Sequence, residues 1–99
     1  MSEFKIEKLK RPIEAHGKTL TSLTLREPEG GDVMDLGAPM SIETGGGTVK
    51  MRPDLGVVGA YISRLADIPP SSVRKLHPVD LSKAAGWLNG FFEGSDPET

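Results

Sequence analysis

The sequence predicts an α+β domain: an N-terminal antiparallel β-hairpin followed by a small C-terminal helical part. Three observations carry this. Apolar and polar residues alternate near the N-terminus, over Phe4 to Leu9 and again over Thr19 to Leu25. Apolar residues recur at helical spacing over about 54–67 and 79–92. Between these stretches lie dense turn signals, in a chain of 99 residues with Gly 12 and Pro 8. The length fits one small domain, 1–99, with a correspondingly small core.

The hairpin is expected over about 4–26. Phe4, Ile6 and Leu9 alternate with charged residues, which gives a strand with one wet face. Pro12 interrupts the run. Ala15-His16-Gly17-Lys18 reads as the turn, because Gly17 is free to take positive φ. In the returning run Leu23 and Leu25 share a face, and Leu20 is out of phase with them. That offset predicts a bulge or slip near the turn.

Pro28-Glu29-Gly30-Gly31-Asp32 then breaks the sheet. Asp32 is placed to N-cap a short helix over Val33–Leu36, which Gly37 and Pro39 stop. Residues 37–52 contain Gly45-Gly46-Gly47 and show no clear period, so a flexible loop is expected there. Pro53 and Asp54 suit a helix start. Leu55, Val58, Tyr61, Ile62, Leu65 and Ala66 fall on one arc of the helix over 54–67, and Pro69-Pro70 ends it. Ser71–Leu76 has room for one or two helical turns. Leu81, Ala84, Ala85, Leu88, Phe91 and Phe92 form the apolar face of the last helix, with Trp87 at its margin. Gly94 is a natural stop, and the acidic tail 95–99 is expected to be disordered.

Composition excludes several functions. Cys 0 removes disulfide scaffolds, thiol catalysis and thiolate zinc sites. No apolar run approaches membrane-spanning length, and the first residues lack a signal-peptide h-region, so a cytoplasmic protein without a membrane partner is expected. The formal net charge of −2 exerts no overall pull toward nucleic acid. Residues 1–18 are net +2, but Lys5, Lys8, Lys10 and Arg11 are interleaved with Glu3 and Glu7, as on a solvated strand face.

The chemistry-bearing residues do not assemble into a reactive signature. His16 lies in a turn and His77 precedes Pro78; with no metal-ligand spacing between them, they read as a turn residue and a helix cap. Glu43 to Lys50 lacks the order of a phosphate loop. No GxSxG-type nucleophile signature occurs. The expectation is therefore a non-enzyme with no catalytic residues, no cofactor and no metal.

The C-terminal helix is the unusual feature. Trp87, Phe91 and Phe92 lie within six residues, and Gly86 and Gly90 line another face at spacing four. Two helix-interior glycines cost roughly 2 kcal/mol relative to alanine, which is easier to understand if a backbone approaches there. Trp87, Phe91, Gly86, Gly90 and Tyr61 are the candidate partner-binding residues. A homo-oligomer is also expected, since a small domain without staples gains by burying leftover apolar surface.

Two segments make the chain recognisable. One is Leu23-Thr24-Leu25-Arg26-Glu27-Pro28-Glu29-Gly30-Gly31-Asp32 after a hairpin. The other is Ile62-Ser63-Arg64-Leu65-Ala66-Asp67-Ile68-Pro69-Pro70-Ser71-Ser72-Val73, leading through Leu76-His77-Pro78-Val79-Asp80 to an aromatic-ended helix. Over roughly 9–92 this order resembles the tail assembly chaperones of Mu-like and P2-like contractile-tailed phages and prophages. The resemblance implies a protein that binds the tape measure protein, keeps it soluble and helps tail tube subunits polymerise around it. It also implies residence in the bacterial host cytoplasm and absence from the mature virion. Two rival readings are a structural tail or baseplate component and a small nucleic-acid-binding regulator. The last would need a basic helix face, and the last helix carries only Lys83.

Overall fold

The structure is a computed structural model that describes residues 3–92, with backbone alone for 41–43, 50 and 51. Strands β1 (Phe4–Ile6), β2 (Ile13–Ala15), β3 (Lys18–Leu20) and β4 (Leu23–Leu25) form one long interrupted hairpin. β2 and β3 pair next to the turn, with Ile13 opposite Leu20 and Ala15 opposite Lys18. β1 and β4 pair at the open end, with Phe4 opposite Leu25 and Ile6 opposite Leu23. At the interruption the Leu9 amide donates to the Thr21 carbonyl at 2.7 Å. The irregular Thr21-Ser22 step resets the alternation, so Leu20 packs on the core although it is out of phase with Leu23 and Leu25. Ile6, Ile13, Ala15, Leu23 and Leu25 are buried, while Lys5, Glu14 and Thr24 face water.

Helix α1 (Gly30–Leu36) follows β4. Its N-cap is Glu29, whereas Asp32 lies three residues inside and accepts a hydrogen bond from the Glu29 amide at 2.8 Å. Asp32 is therefore not the cap residue itself. Its carboxylate satisfies the cap residue's own amide from the N3 position, as the acid does in a capping box.

The segment expected to lack regular structure, 37–52, forms a second hairpin. β5 (Met40–Gly45) pairs with β6 (Thr48–Pro53) from Met40 opposite Pro53 to Gly45 opposite Thr48. Gly46 and Gly47 both take positive φ, 58° and 82°, the requirement of a two-residue type I′ turn. Three successive glycines thus mark a tight reversal rather than a loop. The Asp54 amide closes the hairpin base on the Pro39 carbonyl at 2.8 Å.

Helix α2 (Leu55–Ala66) starts at Asp54, whose side chain accepts from the Val57 amide, and ends at Asp67 in the left-handed region. Val58, Tyr61, Ile62 and Leu65 are buried against the first hairpin and the later helices. A short turn of helix, α3 (Pro70–Val73), is tied to β2 by the Ser72 hydroxyl, which donates to the Glu14 carbonyl. Helix α4 (Pro78–Asn89) contributes Ala84 and Leu88 to the core. It ends earlier than the expected 92. The Gly90, Phe91 and Phe92 amides bond three residues back, to Trp87, Leu88 and Asn89, tightening the chain out of the α-helix. Gly90 is consequently the C-cap and carries no helix-interior cost. The tail 95–99 lies outside the described residues.

Candidate partner-binding surface

Trp87 projects from the last turn of α4 toward β1. Its ring stacks on Phe4 with centroids 5.3 Å apart and an interplanar angle of 15°. Phe91 meets the other side of Trp87 edge-on, at 5.0 Å and 79°. The result is an aromatic ladder, Phe4–Trp87–Phe91, running from the sheet edge to the surface. Trp87 is half-buried and Phe91 is 42% exposed. Phe92 turns the opposite way and packs edge-on against Tyr61 at 5.8 Å.

The other candidates separate from this ladder. Tyr61 has no exposed surface, and its hydroxyl donates to the Gly37 carbonyl at 2.6 Å. Burial pushes that hydroxyl's pKa up. Tyr61 is thus a core residue that pins the exit of α1, not a contact residue, because its face of α2 is the one the hairpin and α4 cover. Gly86 is exposed, and a side chain added there would meet nothing within 4 Å. Among the described residues no segment outside α4 comes within 4 Å of that position. At Gly90 an added Cβ would lie 3.3 Å from the Trp87 carbonyl oxygen.

A charged cluster, whose Arg26 and Asp32 lie in the first of the two recognisable segments, holds the scaffold beneath. Arg26, leaving β4, grips the Asp32 carboxylate with two bonds of 2.9 and 3.1 Å. Arg64 on α2 reaches the same carboxylate at 3.3 Å and Asp35 at 2.9 Å. Asp32 is buried, while both arginines remain partly open to water. The Arg26 hydrogen bond holds the Asp32 carboxyl far below the usual carboxylate range, against the opposing effect of burial. The spacing Arg26-x-Pro-x-x-Gly-Asp32 carried the signal, since Pro28 and the glycines turn the chain so that its ends meet.

Both histidines occupy the expected structural positions. His16 sits at positive φ in the first turn, its Nε2 2.8 Å from the Asp67 carbonyl oxygen. His77 caps α4, its Nδ1 accepting from the Val79 amide. Asp80 is fully buried; Oδ2 accepts from the Lys10 amide at 2.8 Å, tying α4 to the first hairpin, and Oδ1 has no partner among the described residues. Among the described residues no three His, Asp or Glu side chains gather to hold a metal.

An apolar groove of about 440 Å³ lies on a different face. Leu55, Gly56, Gly59 and Ala60 of α2 form one wall, with Val73 and Leu76 opposite. No helix among the described residues is long and apolar enough to cross a membrane.

These features define a small α+β domain with a buried apolar core, a charged cluster that ties β4, α1 and α2 together, and an aromatic ladder and an apolar groove that reach its surface. The chain belongs to the phage tail assembly chaperone proteins, described as E, or 41 or 14: the family's model matches residues 7–93, most of the chain. No curated protein and no solved structure gives a significant match.

Proposed function

We propose that this chain acts by binding rather than catalysis: it holds the tape measure protein in soluble form in the host cytoplasm while tail tube subunits polymerise around it, and is left out of the finished particle. The family membership supports a role in tail assembly. The observation that carries the reading further is the Phe4–Trp87–Phe91 ladder. Aromatic rings that are half-buried on a rigid scaffold offer large apolar area at low entropic cost, the character of a binding hot spot. Gly86, beside Trp87 near the end of α4, leaves open space for a partner's backbone.

The test is co-expression with the tape measure protein encoded in the same gene cluster, scored by how much of that protein stays soluble. Wild type is expected to raise the soluble fraction severalfold over the tape measure protein alone. Retention of the chain in purified particles would instead favour a structural tail or baseplate component.

A further inference from the structure

Hydrogen bonds between elements are unevenly shared in this fold. Helix α2 is tied several times over: the Arg26 amide donates to the Leu65 carbonyl at 3.1 Å, Arg64 reaches Asp32 and Asp35, and the Tyr61 hydroxyl reaches Gly37. Helix α3 is tied to β2 by the Ser72 hydroxyl, and the Arg11 side chain adds a longer bond of 3.4 Å to the Lys75 carbonyl just after it. Among the described residues α4 has a single such tie, from the Lys10 amide to Asp80 Oδ2 at 2.8 Å.

That tie carries a cost of its own. Asp80 is fully buried, yet its Oδ1 has no partner among the described residues. Burying an acceptor without a donor costs free energy that water returns when the site opens. What else holds α4 is side-chain packing: Ala84 and Leu88 on the core, Trp87 on Phe4, and Phe92 on Tyr61. The chain enters α4 through His77, an extended residue whose own ring caps the helix. None of the bonds that join the first hairpin, α2 and α3 passes through α4.

We infer that α4 is a separately opening unit: it leaves the body formed by the first hairpin, α2 and α3 while that body stays folded, turning about His77 and Pro78. Elements with few ties to the rest open below the global free energy of unfolding. The body keeps an apolar interior of its own, built on Ile13, Leu23, Leu25, Ile62, Leu65 and Val73. Opening parts Trp87 from Phe4 and Phe92 from Tyr61, so the open form exposes ring faces that the closed form covers. A free helix of 12 residues is marginal in water, so the α4 amides exchange whenever the helix leaves its seat.

Native-state amide exchange of the whole chain in increasing, sub-denaturing urea is the test. The amides of residues 82–88 are expected to share one protection factor, at least tenfold below that of residues 58–65, with a smaller urea slope. Two conservative core variants separate the units. Ile13→Val weakens the body alone, so it should lower α2 protection severalfold and leave α4 protection unchanged. Leu88→Val weakens packing that is lost in the open and the unfolded states alike, so protection of α4 and of α2 should fall by the same factor. An α4 protected as well as α2, with the same slope, would overturn the proposal. So would protection that decays steadily toward Asn89, which reports fraying of the helix end, or an Ile13→Val protein in which α4 loses as much protection as α2.

Discussion

Arg26 and Asp32, six residues apart, close a loop on each other through two parallel hydrogen bonds of 2.9 and 3.1 Å. The contact fixes the direction in which the chain leaves β4 and enters α1. Arg64 adds α2 to the same carboxylate. One buried acid therefore joins three elements, and its removal leaves the Glu29 amide without its acceptor and Arg26 without its carboxylate partner, while Arg64 keeps Asp35.

Asp32→Ala is expected to cost about 2 kcal/mol of folding stability. Breaking a fully buried pair costs ~3–5 kcal/mol, and here the partly open arginines regain water. Urea denaturation measures it. A loss below about 0.5 kcal/mol would mean that the cluster merely decorates the surface.

The same carboxylate makes stability depend on pH. Its pKa is depressed in the folded protein, so its contribution is complete above the unfolded value near ~4 and is lost as pH falls below it. Wild type should lose stability steadily on acidification, and Asp32→Asn should show a shallower slope over that range. Equal slopes would place the acid sensitivity elsewhere.

Tyr61→Phe removes the bond to the Gly37 carbonyl and leaves that acceptor at the exit of α1 unpaired. A loss of about 1 kcal/mol is expected, with partner binding unchanged per folded molecule because Tyr61 is enclosed. Binding that fell more than folding would return Tyr61 to the contact surface.

Gly86→Ala isolates the open face of α4. Nothing among the described residues comes within 4 Å of the added methyl, and alanine is favoured over glycine in a helix by about 1 kcal/mol. The variant should therefore be more stable by up to that amount. A bulkier Gly86→Leu should fold and yet weaken capture of the tape measure protein. A destabilised Gly86→Ala would show that α4 tolerates no side chain there.

Amide exchange distinguishes the second hairpin from the helical core. At low protein concentration the 40–53 amides should exchange faster than those of Val58–Leu65, since an isolated two-stranded ladder opens readily. Protection equal to that of α2 at every concentration would contradict this.

Much of the fold was legible in the sequence because its signals were local and redundant. Alternation at Phe4–Ile6 and Leu23–Leu25, the Pro12 break and the His16-Gly17 turn all pointed to one hairpin, and the 3.6-residue arc from Val58 to Leu65 had no competing reading. The 40–53 hairpin was hidden because Gly45-Gly46-Gly47 signals flexibility as strongly as it signals a type I′ turn. The cross-strand pairing of Ile42 with Met51 shows only once the register is known. Helix α4 ended before Phe91 because its last amides found carbonyls three residues back, a choice that apolar periodicity does not encode. The surface was legible only in part. Trp87 and Phe91 stood out as aromatics at the margin of an apolar arc, but their stacking on Phe4 depends on where β1 lies, and Tyr61 shared their chemistry while belonging to the core.

The most direct measurement is the soluble yield of the tape measure protein co-expressed with wild type, with Trp87→Ala and with Phe91→Ser, each chaperone variant also being melted on its own. Phe91→Ser removes one partly exposed edge contact, so it should melt only about 5 °C below wild type and lose most of the solubilising effect. Trp87→Ala should lose that effect and melt roughly 10 °C or more below wild type, because Trp87 is half-buried and holds both ring contacts. Full solubilisation by a stable Phe91→Ser protein, or losses in both variants that merely follow the fraction unfolded, would contradict the assignment of the aromatic ladder as the partner-binding surface.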